Sequence, residues 1–114
     1  MIDWDRVAQL REEVGPDDFA EVVELFLEEV EEVIRRLTAA PDPATLAEDL
    51  HFLKGSALNL GFERFGQMCR EGEKMASGGK AGTVMLAPIL GCYAASRQAF
   101  LKVAGPPAKA RTGT

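Results

Sequence analysis

Residues 51–62 read HFLKGSALNLGF and hold the only histidine of the chain, His51. Extended back to Leu46, the stretch has a helical period. At about 100° per residue, Leu46, Leu50, Leu53, Ala57 and Leu60 cluster within roughly 40° of one direction, a stripe that faces a core. His51 falls about 140° from that stripe and belongs to a different face. Lys54 and Gly55 flank it there, about 60° to one side and 40° to the other, one turn further on. Leu58 projects on the same face and Ala47 is close by. A glycine in a helix interior costs about 1 kcal/mol relative to alanine. Gly55 therefore asks for an offsetting gain, and close approach of another molecule to the ring would supply one.

The flanks of this stretch are helical as well. A short first helix is expected to begin after Asp3, as cap, and to stop at Gly15, with Trp4, Val7, Leu10 and Val14 on one side. The segment GPDDFAEVVELFLEEVEEVIRRLTAAPDP follows. Asp17 or Asp18 can cap it, and Phe19, Val22, Val23, Phe26, Val30, Val33, Ile34 and Leu37 form its apolar stripe. Glu28, Glu29, Glu31 and Glu32 read as its solvated outer face, and its PDP ending breaks the helix. The third helix is expected to start with Asp42 as cap and Pro43 in first position, and to end at Gly61.

A fourth helix, roughly Glu63 to Ser77, turns Phe62, Phe65, Met68, Cys69, Gly72, Met75 and Ala76 inward and closes at Gly78 and Gly79. The last carries Leu86, Ile89, Leu90, Tyr93, Arg97, Phe100 and Leu101 and ends near Val103, with Pro88 either in its first turn or at a kink. No alternating pattern suggests a strand. The expected fold is all-α: an antiparallel up-and-down four-helix bundle with a short additional N-terminal helix, spanning residues 1–104. Residues 105–114, GPPAKARTGT, have no core residues and read as a disordered tail.

Composition narrows the function classes. A net charge of −5 disfavours nucleic acid and anionic membrane surfaces as partners. No apolar run approaches the roughly 20 residues of a membrane span, and the N-terminus has no signal-peptide pattern, so a cytoplasmic protein is expected. Cys69 and Cys92 lie on apolar stripes at no metal-ligand spacing, as reduced core thiols do. One histidine, with no serine or cysteine paired to it, argues against a hydrolase or metalloprotein. Neither a P-loop nor a kinase motif is present, so autophosphorylation from ATP is not expected. The bundle closes its core without a second subunit, which favours a monomer.

A cation one turn from an imidazole disfavours a second positive charge there, and it can neutralise an anion carried on the ring. With that chemistry in view, HFLKGSALNLGF resembles the signature of histidine phosphotransfer (HPt) domains, H-x-L-K-G-x-x-x-x-L-G. His51, Leu53, Lys54, Gly55, Leu60 and Gly61 are all in register. The similarity continues through ERFGQMCREGEKM, and the helical pattern agrees over roughly residues 3 to 103.

The resemblance implies a phosphorelay intermediate. His51 would accept a phosphoryl group on Nε2 from a receiver-domain aspartate and pass it to another, with Lys54 neutralising phosphate and Gly55 giving clearance to the partner. Mg²⁺ would sit on the receiver, so no cofactor or metal is expected on this chain. Implied partners are response-regulator receiver domains and a hybrid or cognate histidine kinase. Relatives often hold Nδ1 with a glutamine on the following helix; the count here reaches Glu73, a departure from that pattern. Ala47, Ser56, Leu58 and Asn59 are candidates for a docking surface, although the helical wheel turns Ser56 and Asn59 away from Leu58, and Asn59 could equally serve the helix end. The alternative is an interaction module that docks on receivers or kinases without transfer; a degenerate module of that kind has no reason to keep the His51–Lys54 pair.

Overall fold

The computed structural model describes residues 2–104; the expected tail at residues 105–114 lies outside the described residues. Five α-helices follow one another: α1 (Trp4–Val14), α2 (Phe19–Ala39), α3 (Leu46–Leu60), α4 (Glu63–Met75) and α5 (Leu86–Ala104). A wide π turn, Ala76–Lys80, and a 3₁₀ turn, Ala81–Thr83, join α4 to α5. Among the described residues the only β-type pairing is one antiparallel bridge between Ile2 and Phe62. The protein is all-α.

Helix α3 is the central element and packs against α1, α2 and α4, while α4 also packs against α5. Its stripe of Leu46, Leu50, Leu53, Ala57 and Leu60 is buried, at 4% exposure or less. Burying a leucine this completely contributes about 1.5–3 kcal/mol. Around it, Phe62 lies 5.6 Å from Phe100 and Phe65 lies 5.2 Å from Tyr93, ring centre to ring centre, in tilted geometry. Trp4, half in water, stacks on Phe100.

Gly61 makes the sharpest junction. It ends α3 in the left-handed conformation, φ +77°, and its carbonyl accepts a 2.7 Å hydrogen bond from the Asp3 amide. The chain of Asp3 runs so close that a Cβ on Gly61 would stand 2.7 Å from the Asp3 carbonyl oxygen. Only Phe62 then separates Gly61 from α4, which folds back along α3 so that Leu50 seats on Gly72 and Ala57 faces Gly66. Asp3 accepts from the Arg6 amide at 3.2 Å and so caps α1. Arg6 in turn reaches the Asn59 backbone carbonyl at 3.3 Å, a second tie between α1 and the end of α3.

Several expectations need correction. Helix α3 begins at Leu46, three residues after Pro43, with Thr45 as its cap residue. The Asp42 carboxylate instead accepts from the Ala44 amide at 2.9 Å, closing a separate turn around Pro43 before the helical ladder starts. Helix α4 stops at Met75 rather than Ser77, and Met75 points outward. On α2, Leu27 is buried although it stood outside the expected stripe. Glu31 is not simply solvated: its carboxylate accepts from the Tyr93 hydroxyl at 2.7 Å and from Arg97 Nε at 2.9 Å, joining α2 to α5. Pro88 occupies the first turn of α5, where its missing N–H would have had no intrahelical partner.

Substituting Gly61 by alanine combines a left-handed residue, costing about 1–2 kcal/mol, with a backbone collision. Urea unfolding followed by circular dichroism should show a loss of about 2 kcal/mol or more; an unchanged midpoint would contradict this account of the junction.

Candidate functional site

Burial of the α3 stripe turns His51 outward, and its side chain is 68% exposed. Folding α4 back from Gly61 brings Glu73 alongside. His51 Nδ1 is 2.8 Å from Glu73 Oε2, and Lys54 Nζ is 2.8 Å from Glu73 Oε1. One carboxylate thus engages the ring and the ammonium with separate oxygens. An ionised carboxylate can only accept, so Nδ1 must carry the proton and donate it. The lone pair of the neutral ring then lies on Nε2.

The Lys54 ammonium bonded to Glu73 is the main cause that holds its carboxyl below the usual carboxylate range. Partial burial opposes this, and the His51 hydrogen bond adds to it. The sequence had suggested that Lys54 acts on the ring directly. In the folded chain a carboxylate joins the two, and Lys54 is itself only 25% exposed.

Gly55 has open space where a side chain would start: apart from its own helix backbone and chain neighbours, no atom of the described residues lies within 4 Å of a Cβ built on it. Its lack of a side chain is therefore not dictated by internal packing. Leu58, one turn further, is 61% exposed, and Ala47 is half-buried. Phe52 is also partly exposed, at 37%. Asn59 is exposed at the end of the helix, where its side-chain oxygen accepts from Arg6 at 3.4 Å. Ser56 does not belong with them. At 6% exposure it is buried, because α1, α2 and α4 surround α3 and widen its covered arc beyond the apolar stripe.

The same widening covers Asp49, which the sequence did not single out; it pairs with Arg36 of α2 at 2.5 Å. An arginine at the C-terminal end of one helix and an aspartate early in the next are the only trace of that pair in the sequence. Cys69, one turn from Glu73, is buried and unpaired by disulfide. Among the described residues no three His, Cys, Asp or Glu side chains are grouped to hold a metal ion. Among the described residues no helix is long and apolar enough to cross a membrane.

Among family models, that of the Hpt domain matches residues 21–98. Neither the curated proteins nor the solved structures yielded a match.

Because the folded chain depresses the Glu73 carboxyl, the stability from its two bonds is complete above the unfolded-state value, near 4.3. It is lost as pH falls through the lower folded-state value. Urea melts of the wild type and Glu73→Gln between pH 7 and pH 3 should therefore converge toward the acid end. A constant gap across that range would show that the ion pairs contribute nothing.

Proposed function

Since the chain belongs to the Hpt domain family, phosphotransfer modules of two-component systems, we propose that His51 is the residue that carries the phosphoryl group between receiver-domain aspartates. The observation that carries this reading is the exposed His51 ring, its Nδ1 proton engaged by Glu73 at 2.8 Å and its Nε2 lone pair free to attack. The finer architecture belongs to the same proposal: α2 to α5 form an antiparallel up-and-down bundle, with α1 as the short additional helix.

Nε2 attacks the phosphorus of an aspartyl phosphate, the N–P bond forms, and the acyl P–O bond breaks to release the aspartate carboxylate. Such transfer depends mainly on alignment and charge neutralisation. A neutral imidazole attacks through its own Nε2 lone pair and needs no general base for this step. Lys54 sits one turn from the ring and can follow the new phosphoryl charge. Mg²⁺ and the acidic pocket belong to the receiver. The receiver approaches over Gly55, with Leu58, Ala47 and exposed Phe52 as the apolar part of the contact. A kinase-linked receiver supplies the phosphate and a response regulator takes it, in the cytoplasm and with this chain as a monomer. Docking is brief and small in area, because a shuttle must leave each partner.

Incubated with a phosphorylated receiver domain, the protein should acquire an acid-labile, alkali-stable label. His51→Gln should lose that label while keeping its helical circular dichroism. Label acquired from ATP alone would overturn the carrier role in favour of a kinase. Signalling that persists in cells with His51→Gln would favour a docking module without transfer.

The clearance role of Gly55 has its own test. The Cβ of Gly55→Gln meets no packed neighbour and the change replaces a poor helix former, so the fold should be retained or gain up to about 1 kcal/mol. Transfer from the receiver should nevertheless slow at least about tenfold, a barrier change of roughly 1.4 kcal/mol. Equal rates would remove the steric explanation for that glycine.

A further inference from the structure

Accepting a phosphoryl group is half of a carrier's task; releasing it makes a separate chemical demand on the ring. When neutral imidazole attacks through Nε2, Nδ1 keeps its hydrogen, and the phosphorylated ring is a cation substituted on both nitrogens. In the outward step an acceptor carboxylate oxygen attacks phosphorus, an O–P bond forms, and the N–P bonding pair returns to Nε2. If Nδ1 still bears its proton, the ring departs as neutral imidazole. If it has lost the proton, the ring must depart as imidazolate, a far poorer leaving group.

Resting on the carrier role of His51, we propose that Glu73 is a positioning residue for phosphate release: it holds the Nδ1 proton through the phosphorylated state and keeps phosphohistidine ready to donate. Two observations support this. The Oε2–Nδ1 distance is 2.8 Å, and the second oxygen is anchored 2.8 Å from Lys54 Nζ, which fixes how the carboxylate faces the ring. An ionised carboxylate offers only acceptors, so its bond to Nδ1 exists only while the proton is there. An amide at the same place is indifferent, because it can rotate and donate its N–H to a deprotonated Nδ1. The carboxylate also stabilises the cationic ring by charge, as an amide does not.

Among the described residues the ionisable groups coupled to Glu73 are Lys54 and His51 on α3 and Cys69 on its own helix. Burial first, then Cys92 and Glu73, pushes the Cys69 thiol up to about 12, so it stays uncharged over the range that matters. The sign follows. Stabilising the cationic ring raises the pH at which phosphohistidine loses its Nδ1 proton, and outward transfer stays fast up to that pH.

The test uses the full chain with ¹⁵N-labelled histidine, phosphorylated by phosphoramidate so that no protein partner is needed. The Nδ1 shift of phosphorylated His51 is then titrated from pH 6 to pH 11 in wild type, Glu73→Asp and Glu73→Gln. The Glu73→Gln midpoint should lie lower by at least about one pH unit, a tenfold loss of proton affinity, with Glu73→Asp between. The alkaline fall of transfer to a receiver domain should move down by the same interval. Coincident midpoints in wild type and Glu73→Gln overturn the proposal and leave the carrier role standing. Failure of phosphoramidate to label His51 at all overturns both.

Discussion

A connection as short as Gly61–Phe62 leaves α4 little freedom in how it lies along α3. Residues at similar distances from the turn must face one another, and they do: Ala57 against Gly66, and at the outer level Leu50 against Gly72 and His51 against Glu73. The left-handed Gly61, pinned by the Asp3 amide, sets that register. An error of one residue would rotate Glu73 by about 100° around α4, away from the ring. The polar site at the outer end of the hairpin is thus specified by a turn some ten residues away. Packing between the two points transmits the setting, because Leu50 and Leu53 are completely buried and allow no slip.

This explains why so much could be read from one stretch of sequence. Period alone separates the α3 stripe from His51, and a glycine after Leu60 marks the end of the helix. The start of α1 at Asp3 is equally legible, since the carboxylate caps the Arg6 amide within a single local turn. For Glu31 and Ser56 the deciding partners are distant in sequence, whereas for Asp42 the partner is local. Glu31 looks solvated until Tyr93 and Arg97 arrive from α5. Ser56 looks like a surface serine on a wheel drawn for one neighbour, but α3 has three. Asp42 and Pro43 make a plausible helix start, yet the carboxylate has a nearer use in closing its own turn.

The His51–Glu73–Lys54 array sits between these two cases. Spacing put the histidine and lysine on one face, and the hairpin count reached Glu73. That a single carboxylate would use one oxygen for each was not legible, because it depends on the separation of the two helices at that level. The difference matters chemically. A lysine acting directly on the ring would only repel its protonated form, whereas a carboxylate between them fixes the tautomer and holds the ammonium beside the ring.

Helix α3 accordingly divides its labour by face. The inner arc has leucines buried to 4% exposure or less, and each contributes stability of the order that a small domain depends on. The outer arc gives some of it back: Gly55 costs about 1 kcal/mol, and Leu58 and Phe52 leave apolar surface in water. Neither loss improves the packing of this chain, because Gly55 borders open space. A rigid inner face fixes the ring to within a hydrogen bond, and the outer face forgoes stability around that ring, which leaves room there for the approach of the proposed partner. The array needs no movement of the helices to serve it, since both polar partners of the site stand on α3 and α4, whose spacing the core already holds.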